Sequence, residues 1–352
     1  MSANGFRAAT DADRDAWQAF LGSWPSGDFL HDWAWASVAA FDAQPQQRFV
    51  LDEAGEIVAI VAAQVRRLRG SRTFWYVAHG PVLDYGDSRA ANRLRRIVAG
   101  LRGVGRPDRA VAIKIEPRIE AGSADLAALP VDELRPVSGT LQVGQTRLVQ
   151  LSDDETLLAA FDKDTRYGVR RAEREGVEIA TVTDAADLRA IDGLHELVGE
   201  TQLRAGFPMP QLARYRTAWT SLAGAQRAAI IEARREGRLL ASGMLVVEGD
   251  RSFYLFSGSH REAPGEPKHY ASYLLQWEMM RFARERGVRT HDLWGVAPPG
   301  AGSEHPWHGV GLFKKGFGGH EVVWAGSWDI VVDPAFYRMR EAVGRLKRLI
   351  RR

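Results

Sequence analysis

Two stretches of the chain share one pattern of apolar and polar positions. Residues 48–62 hold two runs of alternating apolar residues on either side of an Ala-Gly pair, and residues 229–243 repeat this layout around a Glu-Gly pair. Alternation with a period of two on both sides of a glycine-containing turn predicts a β-hairpin. Aromatic runs at 73–77 and 252–256 follow the hairpins and predict a third strand in each copy.

The order of elements around the hairpins is also repeated. In both copies a long helix and a returning strand are predicted next, with helices at 91–101 and 270–286 and strands at 110–115 and 290–294. Helical segments precede the hairpins, near Trp17 and Trp33 in the first copy and from 188 to 222 in the second. This order is that of a GNAT-type acyltransferase domain, so the predicted fold class is α/β (α+β), with two such domains in tandem.

The repeat also predicts where the domains begin and end. The first domain is expected to comprise residues 1–145 and 324–352, and the second residues 146–323. Residues 129–139, with two prolines and a glycine, are interpreted as a linker. Residues 328–332 are predicted to form a strand that needs a partner sheet. We therefore expect the C-terminal helix to pack back on the first domain.

Composition narrows the class of protein. The chain has 352 residues, 45% hydrophobic and 26% charged, which is typical of a globular protein of two domains. The absence of cysteine excludes disulfides, thiolate metal sites and a cysteine nucleophile. The first 21 residues are too polar for a signal peptide, and no apolar run reaches the roughly twenty residues of a membrane span. The expected location is the cytoplasm.

Positive charge is concentrated in two segments, although the net charge is only +3. Arg166, Arg170 and Arg174 are four residues apart and so share one face of a predicted helix. Residues 338–352 hold seven cations against one acidic residue. Each segment is either an ordinary solvated helix face or a binding surface for an anionic partner.

Residues 311–319 contain the strongest chemical signal. Lys314 and Lys315 lie beside a glycine-dense turn, after an aromatic and acidic strand end at 291–296. Cations next to backbone N–H groups bind phosphate or stabilise an oxyanion, whereas the alternative is a solvated hairpin turn. Neither repeat has a complete coenzyme A pyrophosphate loop, and residues 67–72 come nearest. The acyl donor is therefore expected to be a different phosphate-containing molecule.

Six short motifs occur in the order found in one known family: residues 75–84, 170–177, 200–207, 274–278, 292–295 and 313–319. Together they resemble the Fem (FemABX-type) aminoacyltransferases. The resemblance implies tandem GNAT-like domains, here in a compact form because no helical coiled-coil arm is evident between residues 181 and 211. It implies transfer of an amino acid from aminoacyl-tRNA to the stem peptide of a peptidoglycan precursor, which forms interpeptide bridges.

The partners that the resemblance implies are aminoacyl-tRNA and either UDP-MurNAc-pentapeptide or a lipid-linked precursor. A lipid-linked acceptor would bring the protein to the inner face of the membrane, which the basic C-terminal helix suits. No cofactor and no metal are expected, and the protein is expected to be a monomer.

The resemblance further implies roles for individual residues. Lys314 matches the lysine of the family's Phe-Lys-x-x-Phe-Gly-Gly signature, which is implicated in contacts with the charged tRNA end and the transition state. Glu116 matches an acidic residue before a proline and is either the general base or a structural glutamate at a strand end. The residues expected to bind substrate are Arg204, Tyr215, Tyr254, Trp294 and Phe313. The residues expected to bind tRNA are Arg166, Arg170, Arg171, Arg174 and Lys315.

Three other functions fit parts of the sequence. The first is a tRNA-dependent amide-bond-forming transferase of secondary metabolism, with the same donor and a small amine acceptor. The second is a coenzyme A-dependent N-acetyltransferase. The third is a non-catalytic RNA-binding protein, which would bind tRNA without turnover. Activity with the different donors and acceptors distinguishes all of them.

Overall fold

The computed structural model describes residues 5–24, 26–205, 209–262, 268–298 and 300–350, without the side chains of residues 204, 205 and 344–350. The chain divides into two compact units. The first unit consists of residues 1–144 and 324–352, and the second of residues 145–323. Within the described residues, no helix is both long and apolar enough to cross a membrane.

The secondary structure follows in chain order. The first unit begins with β1 (Phe6–Ala8), α1 (Arg14–Ser23), α2 (Ala36–Phe41), β2 (Gln46–Glu53), β3 (Glu56–Arg67), β4 (Thr73–Val77), β5 (Val82–Leu83), α3 (Ala90–Gly105), β6 (Ala110–Ile115) and β7 (Arg135–Val137). The second unit contains β8 (Gln145–Gln150), α4 (Asp154–Ala160), α5 (Lys163–Arg174), β9 (Glu178–Val182), α6 (Leu188–Ala205), α7 (Leu212–Gly224), β10 (Ala228–Arg235), β11 (Arg238–Glu248), β12 (Arg251–Ser259), α8 (Ala271–Glu285), β13 (Thr290–Gly295), α9 (His308–Lys315) and β14 (His320–Val323). The chain then returns to the first unit with β15 (Ser327–Val331) and α10 (Pro334–Ile350).

In the first unit, the described strands form one sheet in the order β1-β2-β3-β4-β6-β15-β7, with β5 paired to β3. The apolar face of α3 packs on this sheet because Leu94, Ile97 and Leu101 recur at helical spacing and are fully buried. β15 pairs with β6 on one side and with β7 on the other. The interpretation of residues 129–139 as a linker was therefore wrong, since β7 lies within this sheet.

In the second unit, the described strands form a sheet in the order β14-β8-β13-β12-β11-β10-β9. α8 packs on it through residues that recur three and four apart and are buried, Leu275, Met279 and Ala283 among them. Trp277 of the same helix contacts Phe161 in a T-shaped arrangement, with ring centroids 5.7 Å apart. These contacts join α8, the end of α4 and the sheet in one apolar core.

Each sheet contains one parallel pair of strands joined by a long helix, and the two pairs differ. In the first unit, β4 and β6 remain paired from Thr73 opposite Ala110 to Val77 opposite Ile115. In the second unit, β12 and β13 pair only as far as Phe253 opposite Asp292, although β12 continues to Ser259. A bulge between Asp292 and Gly295 accompanies this separation. The carboxyl ends of β12 and β13 are thus separated, which we call the open pair, whereas β4 and β6 stay paired to their carboxyl ends and form the closed pair.

Residues 308–315 form the helix α9, which rules out the alternative of a solvated hairpin turn for Lys314 and Lys315. The glycines after α9 are required by close packing. A Cβ at Gly316 would lie 2.2 Å from Thr165 Oγ1 at the start of α5. Gly319 has a φ of +67°, and a Cβ there would lie 2.1 Å from the carbonyl oxygen of Leu148 in β8. These contacts attach the end of α9 to α5 and β8.

We predict that Gly319→Ala lowers the free energy of unfolding by about 2 kcal/mol or more, because alanine is strained at this φ and its Cβ meets backbone. Gly103→Ala is the control, since Gly103 lies inside α3 with nothing within 4 Å of a Cβ. There, alanine should be neutral or slightly stabilising. Chemical denaturation measures both variants, and equal stability would contradict the packing role of Gly319.

Candidate active site

A cavity of about 220 Å³ lies in the second unit, beside the open end of β12. It is bounded by α6, β12, α8 and α9. Its lining residues are Thr201, Tyr254, Ser257, Gly258, Ser259, Ser272, Leu275, Gly309, Val310, Phe313 and Lys314. Five of these side chains, Thr201, Tyr254, Ser257, Ser259 and Ser272, carry a hydroxyl group, so the cavity combines an apolar wall with several hydrogen-bonding groups.

Lys314 is a buried cation at this cavity, with only 6% of its surface exposed. Its Nζ donates a hydrogen bond of 2.7 Å to the carbonyl oxygen of Gly295, at the end of β13. Burial lowers the pKa of Lys314 to about 8, and the negative charge of Asp292 opposes the shift. Lys314 also lies in the last turn of α9, where the helix dipole favours a cation. At neutral pH the ammonium is mostly charged.

A buried polar chain lies behind Lys314. The imidazole of His291 contacts Ser252 Oγ through Nδ1 at 2.7 Å and the side-chain amide of Gln276 through Nε2 at 2.8 Å. Burial and the charge of Lys314 lower the pKa of His291 to about 3, so this ring is neutral at physiological pH. His291 and Gln276 were not among the site residues expected from the sequence, although both lie in or next to motifs that carry the family resemblance.

Asp292, the residue after His291, holds the bulge of β13 in shape. Its Oδ1 accepts hydrogen bonds from the hydroxyl of Thr146 and from the backbone N–H of Trp294, the second at 2.8 Å. Trp294 itself has a φ of +62°, and Gly295 follows it. Asp292 and Trp294 therefore set the position of the carbonyl group that binds Lys314.

Three of the residues expected to bind substrate lie near Lys314. The Tyr254 ring centroid is 5.9 Å from Lys314 Nζ, and the Tyr254 hydroxyl donates to Ser257 Oγ. Burial raises the pKa of Tyr254 to about 12, so this hydroxyl remains protonated. Phe313 lines the cavity, and Trp294 precedes the Gly295 carbonyl.

Tyr215, a fourth residue expected to bind substrate, lies elsewhere in the second unit. Tyr215 of α7 is buried against Phe256, with ring centroids 4.3 Å apart, and against His195. It is not among the residues that line the cavity. Arg204 is in the last turn of α6, and its side chain lies outside the described residues.

Glu116 follows β6 in the first unit and is buried. Its carboxylate accepts hydrogen bonds from the backbone N–H groups of Leu141 (2.7 Å) and Gln142 (3.1 Å) and from the hydroxyl of Tyr76 (2.5 Å). Three donors on two oxygens are an arrangement that anchors a loop. The geometry therefore favours the structural alternative that the sequence analysis left open for Glu116.

The arginines expected to bind tRNA lie on α5, but their surroundings differ. Arg166 donates to the carbonyl oxygens of Ala159 and Phe161, and Arg171 pairs with Glu175. Arg170 and Arg174 are exposed, and neither forms an ion pair within the described part of the chain. Lys315 is also exposed, on α9. Arg170 and Arg174 are thus the members of the arginine stripe most available to a ligand.

No metal site is evident at any of these positions. Within the ranges that the structure describes, no group of three or more His, Asp or Glu side chains is placed to hold a metal ion. His308 is the first residue of α9, and His305 precedes the helix. His305 Nδ1 accepts a hydrogen bond from the backbone N–H of Trp307.

Comparison with solved structures identifies the class of fold. The structure of FemX superimposes with a TM-score of 0.83 and 20% sequence identity, over 95% of this chain and 99% of that chain. A tandem GNAT protein from the clavulanic acid biosynthesis pathway gives a TM-score of 0.54 and 15% identity, over 94% and 98% of the two chains. The predicted fold class, tandem GNAT-like domains, is confirmed.

Comparison of sequences points to the same family resemblance. Residues 223–345 match the profile of the FemAB family. The lipid II:glycine glycyltransferase of Staphylococcus haemolyticus is 24% identical, over 92% of this chain and 93% of that protein. The alignment spans 398 positions, more than the 352 residues of this chain, so the relative contains insertions. The resemblance to the Fem (FemABX-type) family is confirmed.

We predict that Lys314 makes the stability of the protein depend on pH above neutrality. A lowered pKa means that the charged form destabilises the folded state at every pH below about 8. As pH rises from about 8 to 10.5, the folded protein loses this charge first and gains at most about 3 kcal/mol relative to the unfolded chain. Lys314→Met should lack this gain.

Thermal or chemical unfolding across this pH range measures the difference between wild type and variant. Lys315→Met is the matched control, because Lys315 is exposed on the same helix and should follow the wild-type pH profile. If Lys314→Met and the wild type gave parallel profiles, Lys314 would not be a buried cation.

Proposed function

We propose that the protein transfers an aminoacyl group from aminoacyl-tRNA to an amine on the stem peptide of a peptidoglycan precursor, at the cytoplasmic face of the membrane. The observation that carries this proposal is the buried ammonium of Lys314 at a hydroxyl-lined cavity beside the open strand pair. The glycyltransferase named among the relatives supports an acyl group that is an amino acid, and its name supports a lipid-linked acceptor.

The reaction is the aminolysis of an ester. The amine nitrogen attacks the ester carbon, and the carbonyl oxygen becomes negatively charged. The new carbon–nitrogen bond replaces the carbon–oxygen bond to ribose, and the nitrogen's proton passes to the leaving ribose oxygen. We assign stabilisation of the oxyanion to Lys314, because a preorganised cation in a water-poor site opposes the charge that develops in the transition state.

The cavity lining suits an aminoacyl group better than a simple acyl group. The α-ammonium of an aminoacyl ester needs hydrogen-bond acceptors, and Thr201, Ser257 and Ser272 bring hydroxyl oxygens to the cavity. An acetyl group has no such need. The volume of about 220 Å³ fits a small aminoacyl group, which agrees with glycine as the group named for the relative.

Glu116 has no part in proton transfer in this proposal. Its carboxylate already accepts hydrogen bonds from Leu141, Gln142 and Tyr76, and these would have to break before it could act as a base. The proton instead follows the direct route from the attacking nitrogen to the leaving oxygen. The expected role of Glu116 is to attach the loop around residues 141 and 142 to the end of β6.

The test of the proposal compares donors and uses Lys314→Ala as the inactive counterpart. Purified protein should transfer the amino acid from glycyl-tRNA to a soluble or lipid-linked precursor, and it should not use acetyl-coenzyme A. Lys314→Ala should lower turnover on the order of a hundredfold and leave the affinity for the precursor nearly unchanged. Lys314→Arg should restore little, because a planar guanidinium cannot place its charge as a compact ammonium does.

Mass spectrometry of the product and steady-state rates at saturating donor provide the measurement, with Lys315→Ala as the control. Transfer from acetyl-coenzyme A without transfer from tRNA would overturn the donor assignment. Transfer to small free amines but not to the precursor would indicate the secondary-metabolism alternative. Wild-type turnover in folded Lys314→Ala would exclude Lys314 from the reaction.

We further predict that the exposed arginines of α5 contribute to tRNA binding. Arg170→Glu/Arg174→Glu should weaken tRNA binding about tenfold or more at low salt and reduce the salt dependence of binding, because two phosphate contacts are lost. Arg189→Glu/Arg289→Glu is the matched control, with the same change of charge at exposed positions on α6 and before β13. Fluorescence anisotropy with labelled tRNA measures both variants. Equal weakening would indicate a nonspecific effect of net charge.

A further inference from the structure

A continuous basic surface lies on the first unit and shares no element with the cavity described above. It is formed by residues 66–72, residues 106–109 and the first half of α10, which we call the basic rim. Together with Asp333, the residue before α10, these segments contain eight arginines and three carboxylates. Arg66, Arg67, Arg69, Arg106, Arg109, Arg338 and Arg340 are exposed.

Contacts between the three segments make the rim one surface. The guanidinium of Arg109 donates to Ser71 Oγ at 3.0 Å, and the N–H of Thr73 donates to the Arg109 carbonyl oxygen at 3.2 Å. Arg72 pairs with Asp333 at the start of α10 and lies over the ring of Phe336, 4.1 Å from its centroid. These contacts hold α10 against the β3–β4 loop.

The eight arginines of the rim outnumber its three carboxylates, so a net positive charge remains. Asp333 is engaged by Arg72, and Glu341 pairs with Arg135 at 2.9 Å. The remaining carboxylate, that of Asp108, accepts a hydrogen bond from the side chain of Gln47. The exposed cations therefore dominate the electrostatic field of this surface.

The outer face of α10 adds apolar groups to the positive charge. Met339 and Val343 are four residues apart, so they share one face of the helix, and they are 51% and 47% exposed. The opposite face is buried through Tyr337, whose hydroxyl donates to Asp329 at 2.9 Å. The helix thus presents an apolar stripe between Arg338 and Arg340 to the exterior.

We infer that the basic rim is a docking surface for a bilayer that contains anionic lipid, with α10 lying in the plane of the interface. Arginines beside an apolar helical stripe bind such a surface in two ways, since guanidinium groups contact phosphate headgroups while the stripe enters the acyl boundary. RNA would also attract the arginines, but phosphodiesters and ribose offer no place for Met339 and Val343. The apolar stripe therefore favours the bilayer.

This inference does not depend on the catalytic proposal, because it concerns binding to lipid and needs no turnover. It gives the proposed reaction a location if the acceptor is lipid-linked. The sequence after Gly344 contains five further cations, Arg345, Lys347, Arg348, Arg351 and Arg352.

Cosedimentation of the full-length protein with vesicles of phosphatidylcholine, with or without phosphatidylglycerol, tests the inference. The wild type should bind only the vesicles that contain phosphatidylglycerol, and less at high salt. Arg338→Glu/Arg340→Glu should weaken this binding about tenfold or more. Arg340 lies over the ring of Phe74, so its replacement also removes a packing contact. Arg66→Glu/Arg69→Glu changes the charge of the rim at a different place and should weaken vesicle binding to a similar extent. The control, Arg189→Glu/Arg289→Glu, should bind as the wild type does.

Met339→Gln/Val343→Gln distinguishes a bilayer from RNA, because it removes the apolar stripe without changing charge. It should weaken vesicle binding several-fold and leave tRNA binding unchanged.

The inference is overturned if the wild type does not bind the anionic vesicles, or if both rim variants bind them as well as the control does. It is also overturned if the rim variants lose tRNA binding and keep vesicle binding. The rim variants should turn over a soluble precursor at the wild-type rate. A loss of vesicle binding at an unchanged rate concerns the lipid surface alone, whereas a wild type without turnover contradicts only the catalytic proposal.

Discussion

The hydrogen bond from the ammonium of Lys314 to the carbonyl oxygen of Gly295 is the interaction on which the candidate site depends. It needs a free carbonyl at the end of a strand, and the separation of β13 from β12 supplies one. It also needs the end of α9 to lie close to that strand, and the contacts of Gly316 and Gly319 with α5 and β8 keep it there. A side chain at either glycine would move the helix that carries the lysine.

The two units have the same arrangement of strands, but the carboxyl ends of their parallel strand pairs have different surroundings. At the carboxyl end of the parallel pair in the first unit, buried polar groups contact one another: His79 contacts Asp28, and Tyr76 donates to Glu116. At the corresponding end in the second unit the strands separate, and a cavity with a buried cation takes the place of those internal bonds. The two similar units therefore differ at this position: the polar strand ends support the fold in the first unit and face a cavity in the second.

The sequence predicted the elements well, because local patterns determine them. Both hairpins lie where the alternation of apolar residues predicted them. The first and last residues of α8 are each within one residue of the predicted helix ends. The motif around Lys314 was recognised, but its helix was not, because a glycine-dense sequence is typical of a turn and only the contacts with α5 and β8 explain those glycines. The strand separation also could not be predicted, since it depends on a bulge in β13 that leaves no local signal.

The same limit applies to the charged residues. Their spacing correctly indicated one helical face for Arg166, Arg170 and Arg174, yet it could not show that Arg166 is engaged by the end of α4. The role of Glu116 could not be predicted either. A carboxyl group at a strand end can act as a general base or can anchor a loop, and only its hydrogen-bond donors distinguish the two roles. Burial and partners decide such roles, and both are properties of the tertiary structure.

A buried cation at the cavity has a second consequence for the proposed reaction, besides stabilising an oxyanion. The acceptor must attack as a neutral amine, and a positive charge nearby lowers the pKa of an amine by repulsion of its protonated form. Lys314 would thus favour the reactive form of the acceptor in the same position from which it stabilises the transition state. The neutrality of His291 is consistent with such a field, since the charge of Lys314 contributes to its low pKa. One desolvated lysine can therefore provide both the electrostatic stabilisation and the activation for which a separate general base would otherwise be needed.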